Sequence, residues 1–366
     1  MTDTVADIKI NKLVTHAHPH LDEAFALLAI QRWCVLQAEK IGPGSSKAKI
    51  GFMTTGMLPQ GKTWRDHPNT WFIGCGKGPF DEHWSNLAKD KPECAATLVA
   101  QALGVADKRE FQNPLYHILH VDQKGSGNRL SIASVLNLIY HMAKPPSMLG
   151  ILDWVADAYA AEFNDQKDHR YRDTGILTIE RAHRMMKDQG GDSAQRADRW
   201  FALARKALDE RGERANAVRP LVKAATSIRI EDSAFGSLCL VTVESDNDQV
   251  ASVVWGLNKD DVLVCFRSTG NVQIMTRKNR NICLSKVAAL VRGQELISRG
   301  EPLPDDQLDL YDVDMVPGEQ RWHLMDTDGD AKRMLFNGST SAPDVEPTII
   351  PRVRLLELVQ RGLMKN

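Results

Sequence analysis

Short apolar runs alternate with helical segments along the first 144 residues of the chain. The apolar runs end in polar or glycine-rich sequence, which is typical of buried strands followed by loops. We predict strands at 12–15, 50–54 and 71–73, and helices at 22–39, 94–103 and 130–142. Strands that alternate with helices favour a parallel or mixed sheet with flanking helices. Pro145 and Pro146 cannot continue a helix, so they mark the end of this segment.

Two further segments complete the predicted organisation. Residues 148–222 are polar with helical periodicity, and we interpret them as a helical connector. Residues 223–366 contain consecutive strand-like runs followed by helices, the order expected of an α+β domain. The elements predicted there are strands at 237–244, 249–257, 261–267 and 271–276, and helices at 284–298 and 352–363. The predicted fold is therefore an α/β N-terminal domain (1–147), the connector (148–222) and a smaller α+β C-terminal domain (223–366).

The charges of the 366 residues are nearly balanced, with 46 basic against 47 acidic side chains. This balance argues against a protein that coats nucleic acid without selectivity. The six cysteines form no Cys-x-x-Cys pair, so a structural zinc site is poorly supported and reduced thiols are expected. We find neither a secretion signal nor an apolar run of about 18 residues. We therefore expect a cytoplasmic protein without a membrane partner.

The stretch 15–23, THAHPHLDE, is rich in side chains that bind metals. His16, His18, His20 and Asp22 stand at alternate positions, so an extended backbone would place all four on one face. The stretch follows a predicted strand, and ligands usually bind at the carboxyl ends of strands in an α/β sheet. Imidazole and carboxylate groups together suit manganese, iron or zinc. We predict a metal site here; the alternative is a polar loop with Asp22 as a helix cap.

A second polar cluster, 74–83, follows the predicted strand at 71–73 and reads GCGKGPFDEH. Asp81, Glu82 and His83 could complete a metal site, since they add two carboxylates and an imidazole. The three glycines could instead cradle a phosphate, but their spacing differs from that of dinucleotide-binding loops, and Pro79 blocks an immediate long helix. The remaining interpretation is an exposed turn.

Asp122 is a third candidate. It ends a short apolar run, and a glycine-containing loop follows it. A sheet offers ligands at such a position, so we predict that Asp122 follows a strand and joins the metal site.

These motifs together resemble those of the DHH phosphoesterase superfamily, especially its branch related to the melanocyte proliferating gene product. His16, His20 and Asp22 match in spacing the first motif of that superfamily, His-xxx-Asp/His-x-Asp. Residues 81–83 look like its DHH triplet, and Asp122 looks like its later aspartate. The resemblance covers the first 130 residues, and the C-terminal domain resembles the family's substrate-binding domain only loosely.

Two positions depart from that pattern. The superfamily carries an isolated aspartate just after the strand that corresponds to 71–73, and Gly74 or Cys75 stands there in this chain. In the family that aspartate commonly bridges two metals, so its absence bears on the number of ions. The middle histidine of the triplet is Glu82, which can still bind a metal. His18 offers a ligand that could compensate for the missing aspartate.

The resemblance implies hydrolysis of a phosphoester or phosphodiester by metal-activated water. The implied metal ligands are His16, His18, His20, Asp22, Asp81, Glu82 and Asp122. Asp81 and His83 are the implied catalytic residues, with His83 contacting the phosphate or protonating the leaving oxygen. The expected metal is Mn²⁺, with Zn²⁺, Fe²⁺ and Mg²⁺ as alternatives. The expected substrate is a nucleotide or a short single-stranded nucleic acid, and a homodimer is compatible with this function.

Four basic residues of the third segment are candidates for binding the substrate phosphate: Arg267, Arg277, Lys278 and Arg280. They flank a predicted hairpin, and guanidinium groups match phosphate oxygens in geometry. The alternative is a solvated basic strand edge that prevents pairing with other chains.

Two other functions are compatible with the sequence. One is a relative that keeps the fold but binds a nucleotide or partner without catalysis, which would explain why Gly74 stands where the family has an aspartate. A hydrolase of other chemistry, such as amide hydrolysis at a single metal, would use the same histidines and carboxylates.

Overall fold

The computed structural model describes residues 9–53, 58, 62–82, 92–125, 127–168, 175–257, 260–304, 310, 321–325, 333–338 and 345–365. The chain divides into two compact units, Met1–Glu210 and Arg211–Asn366. Residues 148–210 of the predicted connector belong to the first of these units. The predicted catalytic residue His83 lies outside the described residues, as does the side chain of Lys278.

The first unit is built on a three-stranded parallel sheet. Its strands are β1 (Lys12–His16), β2 (Lys49–Met53) and β3 (Thr70–Phe72), with β1 between the other two. Residues 13–15 of β1 are buried, as expected for the central strand of a sheet that is covered on both faces. The three predicted strands and the α/β arrangement are confirmed. Because the strands are parallel, their carboxyl ends lie at one edge of the sheet.

Eight α-helices accompany this sheet in the described part of the chain. They are α1 (Leu21–Leu28), α2 (Val35–Ile41), α3 (Ala95–Ala102), α4 (Arg109–Lys124), α5 (Ile132–Tyr140), α6 (Met148–Asp168), α7 (Ile179–Gln189) and α8 (Gly191–Ala224), which continues into the second unit. Every residue of α1 is buried, and this helix packs against α3, α4 and α6. The ring of Phe25 in α1 lies 4.9 Å from that of Trp33 and 5.2 Å from that of Tyr159, measured between centroids. This packing fixes the first turn of α1, which carries Asp22 and Glu23.

Helix α4 corrects the prediction that Asp122 follows a strand. Phe111, Leu115 and Ile118 are buried at helical spacing, so the apolar run belongs to one face of a helix. Asp122 therefore lies in the last turn of α4. Gly125 follows the helix with φ +78°, a conformation that favours glycine at a helix end.

The second unit contains a six-stranded mixed sheet. Its strands are β4 (Ser227–Ile230), β5 (Leu238–Glu244), β6 (Val262–Phe266), β7 (Val272–Thr276), β8 (His323–Met325) and β9 (Met334–Asn337), in the spatial order β4-β5-β6-β7-β9-β8. Strands β5 and β6 are parallel, whereas the other neighbouring pairs are antiparallel. Two parallel neighbours need a crossover connection, which here contains helix α9 (Val250–Gly256).

The predicted strand at 249–257 is wrong, since this segment forms α9. Its β-branched residues favour a strand. However, Val250, Val253 and Val254 are buried at positions i, i+3 and i+4, which lie on one face of a helix. The predicted helices near the C-terminus are confirmed as α10 (Ser285–Arg299) and α11 (Arg352–Leu363).

The contact between α10 and α11 depends on a glycine. A Cβ atom at Gly362 would lie 2.6 Å from Cγ2 and 2.8 Å from Cα of the fully buried Val287. We expect Gly362→Ala to destabilise the protein by about 1–3 kcal/mol, because the helices must separate to admit the methyl group. Urea unfolding measures this change. Gly212→Ala in α8 is the control; its added methyl group would enter open space among the described residues, so we expect stabilisation of up to about 1 kcal/mol.

All six cysteines are free thiols. Within the described ranges, no helix is both long enough and apolar enough to cross a membrane. A cytoplasmic location stays a prediction.

Candidate metal centre

Three of the predicted metal ligands lie together in the first unit. His20 is the N-cap of α1, Asp22 lies in the first turn of α1, and Asp122 lies in the last turn of α4. One ligand atom from each side chain, an imidazole nitrogen or a carboxylate oxygen, lies within 4.8 Å of the other two. A divalent cation with bonds of about 2.0–2.6 Å holds its ligands at most about 4–5 Å apart. The three donors are thus near the spacing that one ion requires.

These three side chains border a cavity of about 280 Å³. Ile118 and Leu136 contribute to its apolar wall, and Ser134, Asn137 and Tyr140 of α5 add polar groups. A largely apolar cavity with a few converging polar side chains is the usual form of a small-molecule site. The cavity therefore offers room for a small ligand beside the three donors.

The centre is strongly acidic. Asp22 is only 3% exposed, and its carboxylate accepts a hydrogen bond from the backbone N–H of Ala95 at 3.3 Å. Burial, followed by the charges of Glu23, Asp122 and Glu82, raises the pKa of Asp22 well above its usual range. Asp122 adds its charge at the carboxyl end of α4, where the helix dipole is already negative. A cation would offset this concentration of negative charge, so the residues present fit a divalent metal.

Glu23 lies close to this centre, since its charge acts on Asp22, although no motif marks it. It is 3% exposed, and its Oε2 accepts a hydrogen bond from the backbone N–H of His20 at 2.7 Å. Its Oε1 contacts Nδ1 of His16. One sequence signal could have revealed Glu23: it interrupts the apolar helix that follows Asp22, and a carboxylate buried in such a helix needs partners.

His18 lies outside the group of three donors. The backbone bends at residues 17 and 18 and becomes helical at Leu21, so the extended face predicted for alternate residues does not continue. His18 is exposed, and its ring stacks on Tyr140 with centroids 5.0 Å apart. The ring of His141 lies 6.1 Å away, edge-on. His18 thus contributes an aromatic contact beside the cavity.

The residues of the DHH-like triplet occupy different positions. Asp81 is buried, and its Oδ2 accepts a hydrogen bond from the backbone N–H of Lys77 at 2.9 Å, which fixes the loop after β3. Glu82 is half-buried and close enough for its charge to raise the pKa of Asp22. The third member, His83, is not among the described residues.

The predicted phosphate-binding arginines lie in the second unit and do not form one cluster. Arg267 follows β6 and Arg277 follows β7, and because these strands are antiparallel the two residues lie at opposite ends of the hairpin. Strands of five residues separate such ends by about 15 Å. Their guanidinium groups donate to backbone carbonyl oxygens at 3.0 and 2.7 Å, and Nε of Arg280 pairs with Asp261 at 3.0 Å. These contacts hold loops of the second unit in place.

No protein-family model matches this chain, and no curated protein matches it. One solved structure is similar, that of an uncharacterized protein from Helicobacter pylori G27, with 10% sequence identity and a TM-score of 0.26. The alignment covers 97% of this chain and 99% of that chain. Membership of the DHH superfamily stays a prediction.

Proposed function

We propose that this protein is a divalent-metal-dependent phosphoesterase that hydrolyses a nucleotide or a short single-stranded nucleic acid. The observation that carries the proposal is the group of His20, Asp22 and Asp122 donors, within 4.8 Å of one another on the wall of a cavity. A mixed nitrogen and carboxylate donor set suits Mn²⁺, with Zn²⁺, Fe²⁺ and Mg²⁺ as alternatives. When bound, the metal would lower the pKa of water and stabilise negative charge on phosphoryl oxygens.

The side chains around the cavity would bind the ion and orient the ester. His20, Asp22 and Asp122 would hold the cation. Asn137 borders the same cavity and offers an amide donor to a phosphoryl oxygen. His83 keeps its proposed role of protonating the leaving oxygen, and the buried Asp81 fixes the loop that leads to it.

A metal-binding protein without catalysis is the second candidate. Gly74 favours it, because the family that this chain resembles has a carboxylate at the corresponding point. This candidate predicts ion binding without turnover, so one experiment separates the two functions.

The test begins with protein that has been stripped of metal by a chelator. Mn²⁺, Zn²⁺, Fe²⁺ and Mg²⁺ are then added separately, and bound metal is measured together with hydrolysis of bis(p-nitrophenyl) phosphate and of a dinucleotide. We expect metal uptake and metal-dependent hydrolysis. Uptake without hydrolysis of either ester would support the binding protein, and the absence of uptake would overturn the metal centre.

Two histidine variants make this test specific to the described geometry. His20→Ala removes one of the three clustered donors, so we expect loss of metal uptake and of hydrolysis. His18→Ala removes a ring that stacks on Tyr140, so we expect metal uptake to persist. Equal metal uptake by the two variants would contradict the assignment of His20.

A further inference from the structure

Gly74 and Glu23 share one space at the end of β3. Gly74 has φ +65°, and a Cβ atom there would lie 2.4 Å from Oε1 and 2.7 Å from Cγ of Glu23. The Glu23 side chain therefore fills the volume that a side chain at position 74 would need. The Sγ of the neighbouring Cys75 donates to the carbonyl oxygen of Val14 at 3.5 Å.

The Glu23 carboxylate is held by two histidines of the metal-binding stretch. Oε2 accepts the backbone N–H of His20 at 2.7 Å, and Oε1 contacts Nδ1 of His16. When Nδ1 of a neutral imidazole donates to a carboxylate, the lone pair lies on Nε2, the nitrogen that can then bind a metal. Capping of the helix needs only the bond between Oε2 and the backbone N–H of His20. The contact between Oε1 and His16 is therefore additional to capping.

We infer that Glu23, whose carboxylate occupies the space beside Gly74, acts as a positioning residue for His20 of the proposed divalent-cation site and holds the imidazole of His16. Glu23 lies in the first turn of α1, and from there its side chain fills the space beside Gly74 at the end of β3. This inference rests on the proposed metal centre. It does not require that the bound ion hydrolyse a phosphoester.

Glu23→Gln removes the negative charge of the side chain and keeps its shape. Glutamine keeps the volume of glutamate, and its carbonyl oxygen can still accept the N–H of His20, so we expect the metal-free variant to unfold at or above the wild-type temperature. We expect a 10–100-fold loss of Mn²⁺ affinity, measured by isothermal titration calorimetry. Wild-type Mn²⁺ affinity in this variant would overturn the inference and leave the metal centre intact.

A double substitution tests whether a carboxylate at position 74, at the end of β3, can replace that of Glu23. Gly74→Asp alone should destabilise the protein, because its Cβ overlaps Glu23. Glu23→Ala empties that space, and aspartate tolerates the left-handed backbone better than most residues. We expect Glu23→Ala/Gly74→Asp to bind Mn²⁺ at least tenfold more tightly than Glu23→Ala. A double variant that folds, as judged by circular dichroism, and binds no better than Glu23→Ala would contradict the inference.

Binding and turnover distinguish this inference from the proposed function. Weaker Mn²⁺ binding by Glu23→Gln, in a protein whose wild type hydrolyses no ester, would support the role of Glu23 and overturn the phosphoesterase. Equal Mn²⁺ binding by the wild type and Glu23→Gln, with turnover in the wild type, would overturn the role of Glu23 and support the phosphoesterase. A wild type that binds no Mn²⁺ would overturn both.

Discussion

Replacing Asp22 with asparagine is expected to abolish metal-dependent hydrolysis and to weaken divalent-cation binding at least 100-fold. Asp22 is the buried member of the three-donor group, and burial concentrates the effect of its charge on a bound ion. Asparagine keeps the size and one acceptor oxygen of the side chain, so the hydrogen bond from Ala95 can persist and the fold should be retained.

Thermal unfolding with and without Mn²⁺ measures this prediction independently of turnover. A ligand at about 100 times its dissociation constant stabilises the folded state by about 2.7 kcal/mol, so Mn²⁺ should raise the wild-type Tm and leave that of Asp22→Asn unchanged. Asp107→Asn makes the same chemical change at an exposed position and should respond as the wild type does. An Asp22→Asn variant that Mn²⁺ stabilises as strongly as the wild type would contradict the assigned site.

The second large effect is expected at Glu295 in α10. This side chain is fully buried, and its carboxylate accepts hydrogen bonds from the indole N–H of Trp322 at 3.2 Å, Nε of Arg299 at 2.8 Å, the hydroxyl of Thr348 and the N–H of Ile349 at 3.3 Å. Glu295→Ala should destabilise the second unit by about 3–5 kcal/mol, because it leaves buried donors without their acceptor and removes one of the acceptors of Arg299, which keeps Glu346 and the carbonyl oxygen of Pro347. Hydrogen exchange of the α10 amides reports this loss.

The control for Glu295 is another glutamate–arginine pair of the same unit. Glu357 accepts from Arg354 at 3.0 Å on the exposed face of α11, where solvent screens the charges. Glu357→Ala should cost at most about 1 kcal/mol. Equal losses in the two variants would mean that burial does not decide the contribution of Glu295.

The ionisation of Glu295 should also make the stability of the second unit depend on pH. Burial alone would raise its pKa, but the hydrogen bonds from Thr348, Trp322, Arg299 and the Ile349 N–H outweigh burial and hold the pKa below its usual value of 4.5. A carboxyl with a lowered pKa stabilises the folded state above the unfolded pKa, and that stability is lost as the pH falls through the folded pKa. Exchange protection of α10 should therefore decline below about pH 4.5 in the wild type, with a smaller decline in Glu295→Gln.

The sequence predicts correctly those helices and strands whose apolar residues recur at the spacing of the face that is buried. The central strand β1 and helix α11 lie where their apolar spacing places them. The segment of α9 has β-branched residues that favour a strand, and only its i, i+3, i+4 burial reveals the helix. Asp122 was predicted at a strand end because a short apolar run before a glycine fits a strand as well as the end of a helix.

The candidate site was predictable where its residues are close in sequence. His20 and Asp22 lie two positions apart across the start of α1, so their proximity follows from local structure. The contribution of Glu23 follows from the absence of a side chain at Gly74, about fifty residues further along the chain, which no local pattern reveals. Arg267 and Arg277 are close in sequence but are separated by the hairpin, because antiparallel pairing sends them to opposite ends.

For the proposed phosphoesterase, the position of Asp122 at the carboxyl end of α4 predicts the order in which ion and ester bind. An anionic ester that approaches the cavity meets carboxylates and the negative end of a helix dipole, all of which repel it. The same groups attract a cation. For the proposed function we therefore expect the ion to bind before the ester, and an ester added to protein without metal should show no saturable binding. In the proposed phosphoesterase, the acidic cavity wall would therefore bind a phosphate only after a divalent ion is in place.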